Sequence, residues 1–431
     1  MAKLVNDNKA TTELAKWDYT AMKKLENLYG SSFYLLDVNK LKGNYNKINL
    51  AFKGRYENFI IGYSYKTNYL PYLCKELLNL GAYAEVVSRL EYDLAIHLGV
   101  NPKKIIFNGP IKSKEDIFLA LKNESIVNID SMYEIAYVKE FAQINPNTST
   151  NIGVRVNFDL SEGGVSILQD GYDVSRFGIC VENGSFHEAI TKLNGIKNVK
   201  VIGLHGHFST SKRTVESYRK KTERLCRLAK DYIIDTLEFI DIGGGIYGEL
   251  PMSFQIPAPS FDDYAEAICS VMHREFPHKE GRRPLLILEP GVSMVANTMT
   301  FVSKVIENKK VTDKNFVLVD ASVHNIKPTM HKSNLPMKVI TKNQNKKREQ
   351  NFHIVGYTCM EKDYLAHEIY GEMPEKDDYI IFENVGAYTI VFNPPFIKER
   401  PCILAFDQNK VIEVRKKETF KQFFNKELYC F

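Results

Sequence analysis

At 431 residues the chain has the length of two or three ordinary domains, or of one large barrel with an addition. Its 44% hydrophobic and 25% charged residues exclude a disordered or collagen-like protein. The formal net charge of +5 (Lys+Arg 57 against Asp+Glu 52) is no nucleic-acid footprint, although a phosphate-binding cleft can coexist with it. No apolar run reaches the roughly 18 residues of a membrane span, and the opening MAKLVNDNKATTE lacks the apolar core of a signal peptide. The expectation is a soluble, cytoplasmic protein with neither nucleic acid nor membrane as partner. The cysteines (Cys74, Cys180, Cys226, Cys269, Cys359, Cys402, Cys430) are odd in number, scattered and without a CxxC pair. That speaks against a disulfide framework and against a zinc site, and no metal is expected.

In chain order the first candidate strand is SSFYLLDV (31–38), with no helix before it long enough to start a barrel unit. Eight short apolar runs then alternate with helical patterns: NFIIGYSY (58–65), AEVVS (84–88), IIFNG (105–109), VNID (127–130), NIGVRVNF (151–158), VIGLHGHF (201–208), FIDIGGG (239–245) and LLILEPG (285–291). Between them, LPYLCKELLNLG (70–81) is amphipathic and stops at Gly81, while Ser88-x-x-Glu91 and Ser131-x-x-Glu134 have the spacing of capping boxes. Eight strands with helices between them is the count of a (β/α)8 barrel, an α/β fold; an open doubly wound sheet is the runner-up.

After about residue 292 the pattern becomes strand-rich: TFVSKVIEN, NFVLVDAS, NFHIVGYT, DYIIFENVG, YTIVFN, PCILAF and KVIEVRKKE. This reads as an antiparallel β domain, which SSFYLLDV can join. The expected division is therefore a barrel over 39–292 and a discontinuous β domain of 1–38 with 293–431. The polar KNQNKKREQN (342–351) reads as an exposed hairpin or loop. The C-terminal KKETFKQFFNKELYCF reads as a surface helix, with a partner helix as the alternative.

Catalytic groups of such barrels sit at the C-terminal ends of the strands. Polar residues fall there on seven of the eight: Tyr65-Lys66-Thr67, Glu85 and Ser88, Asn108, Arg155 and Asn157, His205 and His207, Gly243-Gly244-Gly245, and Glu289-Pro290-Gly291. Each has a plain structural reading, a snorkelling lysine or a tight glycine turn among them. Together they describe a lysine for an aldehyde, backbone N–H groups for an anion, a carboxylate for a protonated ring nitrogen and an imidazole to stack on a ring. That set suits pyridoxal 5′-phosphate.

The motifs YSYKTN (63–68), GAYAEVVS (81–88), FNGPIKS (107–113), VNIDS (127–131), RVN (155–157), SRFG (175–178), GLHGHFST (203–210), DIGGG (241–245), EPG (289–291), GYTCMEKD (356–363) and ENVGAYT (383–389) follow one another over nearly the whole chain. The set closely resembles the fold-type III pyridoxal-phosphate decarboxylases, which include diaminopimelate and ornithine decarboxylases. The resemblance implies that Lys66 is the Schiff-base lysine and that Glu289 keeps the pyridine nitrogen protonated. His207 stacks on the ring, Thr210 stands where a phosphate-binding serine is usual, and Gly243, Gly244, Gly245 and Tyr388 bind phosphate. Glu85 and Arg155 lie near the cofactor. Cys359 and Asp363 match a loop that enters the partner subunit's site, where the cysteine donates a proton. The implied form is a homodimer with shared active sites that decarboxylates a small amino-acid-type substrate.

Three departures from the family pattern bear on that substrate. Val292 replaces the arginine of EPGR. Met360 follows Cys359 where enzymes of basic substrates carry an acidic residue. Lys327-Pro328-Thr329-Met330-His331 replaces RPxxY. An unpartnered buried ammonium costs several kcal/mol, so the far end of the substrate is expected not to be a free ammonium. An acylated or carrier-bound amino acid fits, with Lys327 and His331 to read it and Met360 and Asp363 as further substrate-binding candidates; the alternative is that Met360 merely packs. A one-residue shift would put Glu361 in the acidic position instead. Two rivals stay open: a racemase on the same fold, and a non-catalytic homologue acting as a binding protein. Cys359 with Asp363 speaks against the first, and the retained Lys66, Glu289 and His207 against the second.

Overall fold

The computed structural model describes residues 12–13, 17–161, 166–278, 283–331, 333–343 and 349–431. Contacts divide the chain into two units, one of Lys42–Leu250 with Ile256–Met294, the other of Met1–Leu41, Pro251–Gln255 and Val295–Phe431.

The first unit is a closed parallel barrel. Its strands, first to eighth, are Phe59–Ser64, Tyr83–Val86, Ile105–Phe107, Ile126–Ile129, Thr150–Asn157, Val199–His205, Phe239–Asp241 and Leu285–Leu288. Each pairs in parallel with the next, and the eighth returns to the first through Leu286–Leu288 against Phe59–Ile61. That last pairing excludes the open sheet. Ile106, Phe239 and Ile287 fill the barrel interior. Gly153 and Gly203 make room for the Phe239 ring, since a Cβ on either would lie within 2.7 Å of it. With the interior plugged by apolar groups, polar strand residues collect at the C-terminal rim.

The helix Pro71–Asn79 ends before Gly81, whose φ is +102°. Ser88 Oγ accepts from Glu91 N–H as its spacing predicts, but the Glu91 carboxylate reaches Val87 N–H rather than the cap. Ser131 does not cap: the helix starts at Glu134, whose carboxylate accepts from Asp130 N–H and lies 3.0 Å from Lys112 Nζ. That fully buried ion pair takes the side chain a capping box would use.

The second unit is a mixed sheet. Ser32–Asp37 lies between Met299–Val311, antiparallel, and Ile403–Asp407, parallel. A second parallel pairing joins Lys314–Val319 to Glu349–Val355, so the expected all-antiparallel order is broken twice. A helix, Tyr19–Tyr29, does precede Ser32–Asp37; its Met22 and Leu25 pack on Phe33, Val302 and Leu404 of the sheet. YTIVFN is not a strand, because Ile390–Phe392 forms a single 3-10 turn. Met337–Ile340 and Tyr364–Glu372 are strands that periodicity does not disclose. In the polar segment 342–351, residues 344–348 lie outside the described residues, and 349–351 begin a strand. The C-terminal segment forms only the short helix Phe420–Phe423. No helix among the described residues is long and apolar enough to cross a membrane.

Candidate active site

Lys66 sits in the 3-10 turn Tyr65–Thr67 that ends the first strand. Its ammonium donates to Ser64 Oγ (2.7 Å) and to Glu85 Oε2 (2.5 Å) on the second strand. Asn108, after the third strand, donates through Nδ2 to Glu85 Oε1 (3.1 Å) and to Glu289 Oε1 (2.6 Å), and accepts from Asn128 Nδ2 (2.8 Å). Lys66, Glu85, Asn108 and Glu289 thus form one hydrogen-bonded chain across the barrel rim. Gly291 permits the approach of the eighth strand to the lysine turn, since a Cβ there would lie 2.1 Å from Thr67 Oγ1.

Glu289 shares its pocket with His205 and Asp241; all three are buried, with ligating atoms within 4.8 Å of one another. His205 Nε2 lies 3.3 Å from Glu289 Oε2. Burial favours the protonated form of both acids. At Glu289 the neighbouring His205 and Lys66 outweigh burial and hold the carboxyl far below its usual range. At Asp241 burial, reinforced by the Glu289 charge, pushes the carboxyl well above it. The pair therefore keeps one proton on Asp241 and a charge on Glu289. An ionised carboxylate so held is what keeps a ring nitrogen protonated.

The glycine turn after the seventh strand is clamped peptide by peptide. Lys221 Nζ donates to Ile242 O (2.6 Å), and Gly243 N–H donates to Asp241 Oδ1 (2.8 Å). Glu289 N–H donates to Gly243 O (2.9 Å), and Gly244 N–H to His207 Nδ1 (3.1 Å). Tyr218 Oη donates to Gly244 O (2.9 Å). Gly243 and Gly244 thus spend their N–H groups inside the protein, whereas Gly245 N–H has no acceptor among the described residues. Side chains would break this packing: a Cβ on Gly244 would lie 2.1 Å from Glu289 O, and one on Gly243 2.7 Å from His207 Cβ.

His207 accepts through Nδ1, so its neutral tautomer carries the proton on Nε2. Burial and the charges of Arg155, Lys66 and Lys221 hold its pKa well below the usual histidine value. Arg155 supports it from the fifth strand, donating to His207 O (3.2 Å) and to Asp130 Oδ1 (3.1 Å). The Thr210 hydroxyl is buried and has no partner among the described residues. A lysine beside a carboxylate, an ionised Glu289, a neutral imidazole, and open donors on Gly245 and Thr210 together fit pyridoxal phosphate. They would take its aldehyde, ring nitrogen, ring face and phosphate respectively.

The remaining sequence-predicted residues belong to the β unit. Cys359 is exposed and Met360 half-buried on the loop 356–363. Asp363 is buried, and its two oxygens accept from Val323 N–H (2.7 Å), Ser322 Oγ (3.2 Å), Thr358 N–H (3.0 Å) and Thr358 Oγ1 (2.6 Å). It anchors the cysteine loop to Ser322–Ile326 and has little capacity left for a substrate. Lys327 follows that short helix, buried, and donates to Ser333 O (3.3 Å); burial lowers its pKa. His331 is exposed. Tyr388 has a left-handed backbone (φ +55°) and stacks on Phe392.

A closed barrel that gathers an amine, an ionised acid and an open glycine turn at one rim defines an enzyme built around an aldehyde cofactor. Residues 40–296 match the family described as pyridoxal-dependent decarboxylase, pyridoxal binding domain. The chain belongs to that family: it is a pyridoxal-phosphate-dependent decarboxylase acting on an amino-acid substrate. It is 28% identical over 419 residues to the diaminopimelate decarboxylase of Methanocaldococcus jannaschii, covering 94% of this chain and 93% of that one. A crystal structure of the M. jannaschii enzyme superposes with a TM-score of 0.84 at 26% identity, over 94% of both chains. One of the Helicobacter pylori enzyme complexed with L-lysine superposes with a TM-score of 0.80 at 25% identity, over 94% of this chain and 99% of that one.

Sequence reasoning left His205, Asn108 and Asp241 out of the site, although all three stand at strand ends. It missed Tyr218 and Lys221 altogether. The signal for Lys221 is its place on the buried stripe Tyr218, Lys221, Leu225, Leu228 of the helix Val215–Ile233, where a lysine is out of character.

Proposed function

We propose that the substrate is an amino acid or derivative whose far end carries no free ammonium, an acylated or carrier-bound amino acid among them. The observation that carries this reading is Met360, half-buried on the cysteine loop directly after Cys359, where a carboxylate would serve a basic substrate. Val292 and Lys327, whose ammonium donates to Ser333 O and has no carboxylate partner among the described residues, point the same way. A second reading, diaminopimelate itself, is favoured by the full-length similarity to diaminopimelate decarboxylases.

Bound at the barrel rim, pyridoxal phosphate supplies an electron sink for the pair left behind when the substrate's carboxylate departs as CO₂. Lys66 would hold the aldehyde, and Glu85, already bonded to its amine, would pair the lysine's ammonium whenever that amine is free. Glu289 keeps the ring nitrogen protonated, while Asp241 donates to Glu289 and so steadies its charge. His207 covers the ring face and excludes water. Cys359, from the partner subunit of a homodimer, or Lys66 then delivers a proton to the substrate carbon, balancing the lost carboxylate.

The test is CO₂ release from a panel of ornithine, lysine, diaminopimelate and their acylated or acidic counterparts. Turnover confined to the second group is expected. Ordinary turnover of diaminopimelate would establish the second reading, and of ornithine or lysine would remove the first.

A further inference from the structure

An anion at the glycine turn adds to the charge of the buried, ionised Glu289, whose N–H is bonded to Gly243 O, and needs a cation of its own. Among the basic side chains beside the turn, Lys221 is committed to Ile242 O from beneath, and Arg155 to Asp130 and His207 O. Arg213 is different. It is half-buried, and its guanidinium has no carboxylate partner among the described residues. Instead it lies 5.0 Å over the ring of Tyr247, two residues beyond Gly245.

Its backbone is held to the same place. Tyr264 Oη donates to Arg213 O (2.5 Å) and accepts from Tyr247 N–H (3.5 Å), tying the turn before the helix Val215–Ile233 to the residues after the glycines. Arg213 occupies a left-handed conformation (φ +46°) that glycine or asparagine adopts more readily, so something besides local preference places an arginine there. The chain on both sides of it passes Gly245: before it, Phe208 O would lie 3.9 Å from a Cβ on that glycine, and after it, Tyr218 Oη 2.9 Å. The open Gly245 N–H thus lies beside the stretch Phe208–Arg213, which carries both the unpartnered Thr210 hydroxyl and this uncommitted guanidinium.

We propose that Arg213 is the cation of the phosphate end of the cofactor site, a phosphate monoester being received by Arg213, Gly245 N–H and Thr210 Oγ1. The assignment rests on the pyridoxal-phosphate reading of the site. It gives the chain a planar, bidentate partner for phosphate on the loop after the sixth strand, while the helix Val292–Val295 after the eighth offers none.

The experiment titrates the apoprotein with pyridoxal phosphate and, separately, with pyridoxal, which lacks the phosphate, following the cofactor's absorbance. Arg213→Gln is expected to weaken pyridoxal phosphate binding about ten- to hundredfold and to leave pyridoxal unchanged. Arg213→Lys should fall between, and Tyr247→Leu, which removes the ring beneath the guanidinium, should weaken only the phosphorylated ligand. Unchanged phosphate-ligand affinity in Arg213→Gln overturns the proposal, as does an equal loss for both ligands, which would mark a distorted turn. A wild-type protein that binds pyridoxal phosphate no better than pyridoxal overturns it too and leaves the cofactor reading standing. One that takes up neither ligand removes both.

Discussion

Lys221 is buried under the glycine turn with its ammonium on one carbonyl and over the ring of Tyr218, 4.1 Å from the centroid. Burial lowers its pKa to about 7. The unfolded chain keeps that proton to about pH 10.4, so between the two values the native state binds fewer protons and stability rises with pH. Lys221→Met is expected to be more stable than wild type at pH 7, with a difference that shrinks by pH 9; urea unfolding at the two pH values checks this, and a constant difference would refute it. The same variant frees Ile242 O and should bind pyridoxal phosphate less tightly. Asp241 gives a contrasting expectation. It is already neutral, so Asp241→Asn, whose amide still donates to Glu289, should stay within about fivefold of wild-type kcat, whereas Glu289→Gln loses the charge and should cost about a hundredfold or more. Steady-state kinetics at saturating cofactor separate the two. Lys66 and Glu289 were legible as members of a set, polar groups on seven of eight strand ends, since either residue alone has a plain structural reading. Asp241 was not, because its role depends on a proton shared with a residue from another strand.

At the scale of elements, the loop 356–363 is tied down by the Asp363 carboxylate beside a backbone bond from Tyr357 N–H to Ala321 O (3.0 Å). Asp363→Ala would strip four donors of their acceptor and is expected to cost about 3 kcal/mol of stability, with faster hydrogen exchange across Gly356–Asp363. Asp363→Asn should recover part of it. Exchange no faster than wild type would show that the backbone bonds of the loop, Gly356 N–H to Asp363 O and Tyr357 N–H to Ala321 O among them, hold it without the carboxylate. The barrel strands were legible because both their faces are buried, and β-branched runs betray that. The β unit was read less well for the opposite reason. Tyr364–Glu372 alternates between half-buried and exposed positions along much of its length and carries glutamates within a strand, so no apolar run marks it. The Ile390–Phe392 segment is apolar enough for a strand, yet its residues lie in a tight turn that periodicity cannot foresee.

For the whole molecule, the proposed homodimer carries its own test. If Cys359 serves the partner's Lys66, the variants Lys66→Ala and Cys359→Ala are each nearly inactive alone. Mixed, unfolded and refolded together, they should recover about a quarter of wild-type activity, because half the dimers are mixed and each has one intact site. No recovery would place Cys359 and Lys66 in the same subunit's site or make the protein monomeric. The barrel was legible from sequence because its eight repeats are local. The sheet that joins the two ends of the chain was only partly so, since its partners lie far apart in sequence.

That sheet has a consequence for how the protein is made. Ser32–Asp37 leaves the ribosome before any barrel strand, yet Leu36 pairs with Met299 and Tyr34 with Ile403, both translated after every barrel strand. Throughout synthesis an apolar strand with two unsatisfied edges must wait while the barrel forms behind it. Trigger-type chaperones that shield nascent apolar segments should therefore matter more for the yield of this enzyme than for its refolding from denaturant, where both edges find their partners in the same chain at once.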